Sequence, residues 1–78
     1  MLDGERLRMR RLQLRLSQQQ LGQEIGQDQS YISRLERGDL KEITVTTLSK
    51  IVRTLRVSAD YLLGFSDTME SKMEAAVA

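Results

Sequence analysis

The sequence predicts an all-α domain of five short helices, and three observations predict it. Apolar residues recur at helical spacing: Leu48, Ile51, Val52 and Leu55 follow i, i+3, i+4, i+7, while Leu21/Ile25 and Ile32/Leu35 give shorter stripes. Capping residues stand between apolar residues placed so that the two can clasp across the start of a helix as a hydrophobic staple. No proline occurs and only five glycines do, so the breaks fall at Gly26, Gly38 and Gly64 and at the caps.

The first helix, about residues 4–14, follows Asp3, which Leu2 and Leu7 flank. The second, 18–25, follows Ser17; Gln20 three residues on can reach back to complete a capping box, with Leu16 and Leu21 as the staple. It ends at Gly26, where glycine adopts a left-handed conformation at least cost. The third, 29–36, follows Asp28, a good cap. Its staple pair would be Gln27 and Ile32, and Gln27 is polar, so this helix starts without the apolar lock of the other four. The fourth, 45–55, follows Thr44 between Ile43 and Leu48, and the fifth, 59–63, follows Ser58 between Val57 and Leu62. Residues 12–16 and 43–46 alternate like strands, but a lone short strand has no partner here. The expected core is Leu7, Leu14, Leu21, Ile25, Ile32, Leu35, Leu48, Ile51, Val52, Leu55, Leu62 and Leu63, which leaves little room for a pocket.

A chain of 78 residues is expected to form one small domain of modest stability. It has no cysteine and no histidine, which removes disulfides, thiolate nucleophiles, the commonest general base and the commonest metal ligands. No glycine-rich phosphate loop is present either, so an enzyme is not expected, nor a cofactor, nor a metal. No apolar run approaches the roughly 20 residues that span a bilayer, and no signal-peptide core follows the start, so a cytoplasmic protein without a membrane role is expected. Net charge is +1, unevenly spread. Residues 1–63 carry 11 basic and 8 acidic side chains, and residues 64–78 carry 1 and 3. The basic excess is densest at Arg6, Arg8, Arg10, Arg11 and Arg15, which suits either a polyanion or a solvated charged helix.

The stretch from Gln18 to Gly38, QQQLGQEIGQDQSYISRLERG, is unusually rich in outward hydrogen-bonding side chains. Gly22 falls on the inward side of a helix, where glycine costs about 1 kcal/mol relative to alanine, and a second helix crossing closely over it would be a reason to accept that cost. A small residue, a turn glycine four later, and apolar residues at 21, 25, 32 and 35 make a helix-turn-helix pattern.

With RRLQLRLSQQQLGQEIG at 10–26, SYISRLERG at 30–38 and TLSKIVRTLRVSADYLLG at 47–64, the chain resembles the Cro/phage-repressor type of helix-turn-helix DNA-binding domain, the XRE-like regulators. The resemblance covers about residues 4–64 and implies a compact five-helix, lambda-repressor-like domain at 1–64, with 65–78 an acidic tail or short dimerisation helix. It departs from the family pattern at Arg15 and Arg56, where glycine is common, and at Gln27, where an apolar residue is frequent. Each arginine would then need a left-handed conformation or a locally different turn.

The resemblance further implies roles by position. The helix after Asp28 becomes the recognition helix, with Gln29, Ser30, Ser33 and Arg34 at base-reading positions. Gln29 can pair with adenine and Arg34 with guanine, while Ser30 and Ser33 are ambiguous readers. Gln18 matches a phosphate contact; Arg37, Lys41 and Thr44 line the loop that would hold the backbone on the other side. Tyr31 is read either as a phosphate or sugar contact or as a locally packed side chain. Gln19, Gln20 and Gln23 fit ordinary solvated helix positions. Arg11 and Glu36 match positions that bridge the first helix to the end of the recognition helix, as a partly buried ion pair.

The implied function is a sequence-specific transcriptional regulator of double-stranded DNA, expected to act as a homodimeric repressor on an operator, with dimer contacts near Val57–Leu63 and in 67–78. The alternative is an antitoxin or controller that chiefly binds a partner protein, supported by the Met69/Met73/Val77 stripe in the tail.

Overall fold

Five helices follow one another in the computed structural model, which describes residues 2–40 and 42–69: α1 Gly4–Gln13, α2 Gln18–Ile25, α3 Gln29–Arg37, α4 Val45–Leu55 and α5 Ala59–Leu62. Each boundary lies within a residue of its sequence-based expectation, because the caps set the starts. Asp3 accepts from the amides of Glu5 and Arg6. At Ser17 the capping box is complete: its hydroxyl accepts from the Gln20 amide at 2.9 Å, and the Gln20 side chain accepts from the Ser17 amide at 2.8 Å. Thr44 accepts from the Thr47 amide at 3.1 Å and Ser58 from the Tyr61 amide at 3.0 Å. Asp28 is the exception. Its backbone is extended as a cap requires, yet its side chain makes no capping hydrogen bond. Both Gln27 and Asp28 are exposed, so nothing apolar pins the entry to α3.

The packing places α2 against α3 and α4, α1 against α3 and α5, and α4 against α5. The core they enclose is Leu2, Leu7, Leu21, Ile25, Ile32, Leu35, Ile51, Leu55, Val57 and Leu62. Leu14, Leu48 and Val52, expected in the core, are partly buried and pack against its border. Leu63 is half-buried and takes no part in it. A helix turns about 100° per residue, so the single turn of α5 cannot aim both Leu62 and Leu63 inward. Leu2 and Val57, read from sequence only as staple residues, are drawn into the core by their partners Leu7 and Leu62.

The strand-like alternation at 12–16 proves to be a helix exit: α1 ends at Gln13 and the chain reverses through Arg15 at φ 59°. At 43–46, Ile43 packs on the core, Thr44 caps, and α4 begins. Arg15 and Arg56, at φ 59° and 55°, both adopt the left-handed conformation that glycine would supply at less cost.

Two glycines are fixed by close approach. A Cβ on Gly22 would stand 2.5 Å from the Gln27 carbonyl oxygen, so the turn into α3 closes directly over α2. A Cβ on Gly4 would collide with the carbonyl oxygen of Leu35 and stand 2.6 Å from that of Glu36. The start of α1 therefore sits on the last carbonyls of α3, a contact the sequence does not announce.

Residues 65–69, assigned to the tail from sequence, fold back on the domain. Arg6 holds them, donating to the Ser66 carbonyl at 2.5 Å and to Asp67 at 2.8 Å while its guanidinium lies 4.6 Å from the centre of the Tyr61 ring. The Ser58 amide donates to the Met69 carbonyl at 2.7 Å, and the Met69 side chain packs on the core. Met73 and Val77, the rest of that stripe, lie outside the described residues. Among the described residues, no helix is long and apolar enough to cross a membrane.

Gly22→Ala should lower stability by about 1–2 kcal/mol despite the better helix propensity of alanine, because the methyl group has no room; a urea unfolding midpoint checks it. Arg56→Gly should act oppositely, raising stability by up to about 1 kcal/mol, since the exposed Arg56 side chain loses only backbone strain.

Candidate nucleic-acid interface

The two edges of α3 differ sharply. Ile32 and Leu35 are fully buried against the core. Gln29, Ser30, Arg34 and Arg37 are exposed, and Ser33 is half-buried beside them. The helix thus presents a continuous polar edge while its apolar edge anchors it. Tyr31 sits between the two and packs on the core, which favours its reading as a local packing residue.

Beneath this edge runs a chain of polar contacts. Arg11, on α1, donates through Nε to Glu36 Oε2 at 2.6 Å and through Nη2 to Glu36 Oε1 at 3.1 Å. Both side chains are nearly inaccessible, at 8% and 3% exposure. The remaining Arg11 nitrogen, Nη1, donates to the Leu16 carbonyl at 2.7 Å, tying in the α1–α2 connection. Glu36 Oε1 also accepts from Gln18 Nε2 at 3.1 Å, and Gln18 Oε1 faces Gln29 Nε2 at 3.5 Å. Three helices therefore meet in one network whose outer end is Gln29.

The other residues singled out from sequence are placed differently. Arg37 is exposed and pairs with Asp39 at 3.2 Å. The Thr44 hydroxyl is engaged in capping α4 and in a 3.0 Å contact with the Thr47 hydroxyl. Lys41 lies outside the described residues. Three arginines of the basic cluster are engaged within the fold, while Arg8 and Arg15 are exposed: Arg6 and Arg11 are bound as described, and Arg10 donates to the Leu55 carbonyl at 2.8 Å. These guanidiniums tie α1 to α5, α3 and α4, so they are structural.

A family model described as helix-turn-helix matches residues 7–62. The chain belongs to the Cro/phage-repressor type of helix-turn-helix proteins. Among solved structures, this helix-turn-helix protein is similar to the phage P22 c2 repressor in complex with a synthetic operator, at 35% identity over 85% of this chain and 98% of that one, with a TM-score of 0.77. It is also similar to SinR, a master regulator for biofilm formation, in complex with DNA: 30% identity, 77% of this chain, 95% of that one, TM-score 0.72. The complex of the SinR and SinI proteins is matched over 99% of this chain and 75% of that one, at 29% identity and a TM-score of 0.74. Comparison with curated proteins gives no match.

Sequence reasoning about the helix-turn-helix protein missed the Gln18–Glu36 contact. Its signal was weak: an amide at the start of one helix and a carboxylate at the end of another, 18 residues apart. It also missed Arg6 and Arg10 as ties within the fold, since an arginine on a helix gives no sequence sign of which carbonyl it will reach.

Arg11→Met leaves Glu36 buried without its charge partner and should cost about 3–5 kcal/mol. In a domain of this size that lowers Tm by roughly 12–40 °C. The double variant Arg11→Met/Glu36→Leu should recover most of that loss, because no lone charge remains; thermal melts of both check the pair.

Proposed function

We infer that this helix-turn-helix protein is a DNA-binding transcriptional regulator that lays α3 in the major groove and acts as a homodimeric repressor. The family supports the regulator; the observation that carries the docking mode is the α3 polar edge, exposed along its length while Ile32 and Leu35 anchor the other side. The major groove admits one α-helix and shows a distinct donor–acceptor pattern for each base pair. Gln29, Ser30, Ser33 and Arg34 read base edges. Gln18 and the exposed amides at the start of α2 lie on one flanking phosphate backbone; Arg37, Lys41 and the turn before Thr44 lie on the other.

One helix reads only a few base pairs, so useful selectivity calls for two copies on half-sites about 34 Å apart. Occupying such an operator blocks polymerase. The protein acts in the cytoplasm, where its operator is accessible.

The likeness to the SinR/SinI complex, which spans 99% of this chain, favours a second role in binding a partner protein. The two roles separate in a pull-down: a partner that Arg34→Ala still captures, while operator binding is lost, uses a different surface.

Selection of bound duplexes from a random pool should return a two-fold symmetric consensus; a one-sided or absent consensus contradicts the proposal. Against that site, Arg34→Ala should weaken binding by about 1–3 kcal/mol and relax preference at one position per half-site. Affinity should also fall steeply with salt, with a log–log slope of roughly −0.9 per phosphate neutralised.

A further inference from the structure

We propose that Asp39 is a specificity-determining residue: its carboxylate holds the Arg37 guanidinium back from phosphates until a base-matched site fixes one beside it. This rests on the reading of Arg37 as a phosphate contact. Arg37 is the last residue of α3, and its Nε stands 3.2 Å from Asp39 Oδ2. The backbone makes this pair. Gly38 turns left-handed at φ 81°, and the Asp39 and Leu40 amides both donate to the Arg34 carbonyl, at 3.0 and 3.3 Å. Asp39 is thereby pinned to the end of α3, with its carboxylate against the cation two residues before it.

Stability gives no reason for an acid at this place. The two side chains are 63% and 60% exposed, where water and salt leave an ion pair worth little. The negative end of the α3 dipole lies here too, and it disfavours a carboxylate. An asparagine would keep the same backbone hydrogen bonds without that charge. Toward a polyanion the placement is costlier still, since segment 38–44 carries Asp39 and Glu42 against Lys41 alone. Both acids are exposed. A loop built only to grip phosphate would carry no such excess.

Attraction to phosphates supplies essentially all of non-specific binding and is indifferent to sequence. On a random duplex no base contact holds the domain in register, so phosphates stand at no fixed distance from Arg37. The tethered carboxylate then keeps the guanidinium. On an operator, base contacts by α3 set the position of the domain and hold a phosphate within reach. Arg37 exchanges Asp39 for that phosphate, whose oxygens can take the guanidinium fork two at a time. One cation is thus withheld from wrong sites and released at the right one, which widens the gap between the two affinities.

Binding of wild type, Asp39→Asn, Arg37→Gln, the double variant and Glu24→Gln is measured on a selected operator and on a random duplex, across a salt series and below each melting temperature. Glu24→Gln removes the same charge from α2 instead. Expected for Asp39→Asn on the random duplex is a gain of roughly three- to tenfold, with a log–log salt slope steeper by roughly 0.9, as for one more phosphate contact. On the operator the slope should hold and the gain should be about twofold or less, the worth of an exposed pair. In the Arg37→Gln background the gain should vanish. An unchanged random-duplex affinity and slope overturns the proposal. So does an equal gain from Glu24→Gln, which reduces the effect to net charge, or a gain that survives in the double variant, which leaves Arg37 out of it. Equal gains on operator and random duplex overturn the assignment to specificity. An Arg37→Gln variant with wild-type operator affinity shows that Arg37 is no phosphate contact and overturns the proposal at its base. A wild-type pool without any consensus removes the DNA-reading conclusion itself.

Discussion

The bidentate contact between Arg11 and Glu36 is the constraint on which the arrangement of the first three helices depends. Both groups are almost wholly removed from water, which costs several kcal/mol per ion before any mutual attraction is counted. Such a pair adds little net stability over an apolar replacement. What it adds is geometry: a guanidinium fork meets a carboxylate in one relative orientation, where two leucines could slide. With Leu16 held by the third nitrogen, the pair fixes α1, the α1–α2 connection and the end of α3 relative to one another. Gly4, with the last α3 carbonyls against its backbone, makes the same joint close enough for the ions to meet.

Close approach is the second half of the same design. Few large side chains are available to fill a domain this small, so precise spacing comes from removing side chains where helices cross. Gly22 is the clearest case, since the carbonyl of Gln27 occupies the space a methyl group would need. The turn is thereby held short, and α3 leaves it without a side-chain cap. The polar amides at its start are left uncovered on the edge that also carries Gln29 and Ser30. A helix otherwise locked by Ile32 and Leu35 tolerates that loose end.

Helix starts were legible because capping is local: Ser17, Thr44 and Ser58 each act on the amide three residues away, with apolar partners at fixed offsets. The ion pair was legible only through family resemblance, since nothing in spacing alone joins residue 11 to residue 36. Asp28 shows the limit of local reasoning. Its residue type suits a cap, but without an apolar Gln27 equivalent the side chain is not drawn into place. Long arginines are the least legible of all. Arg6 and Arg10 read only as part of a basic cluster, and each instead ends on a carbonyl within the fold. Their reach of several ångströms spans more possible partners than any sequence window can rank.

That internal use of cations bears on how the molecule would choose its site. With Arg6, Arg10 and Arg11 engaged within the fold and Arg37 paired to Asp39, the α3 edge presents the amide and hydroxyls of Gln29, Ser30 and Ser33 beside the guanidinium of Arg34. Attraction to phosphates is long-ranged and indifferent to sequence, so a surface rich in free cations binds everywhere before it binds well. Amides act only at contact distance and only in the right orientation. A domain with a small net charge and six glutamines between residues 18 and 29 therefore gives up some non-specific affinity and gains dependence on orientation. For such a surface, the rigidity supplied underneath by Arg11 and Glu36 matters more than it would beneath a row of lysines, because hydrogen bonds that act only at contact distance fail when the helix carrying them shifts.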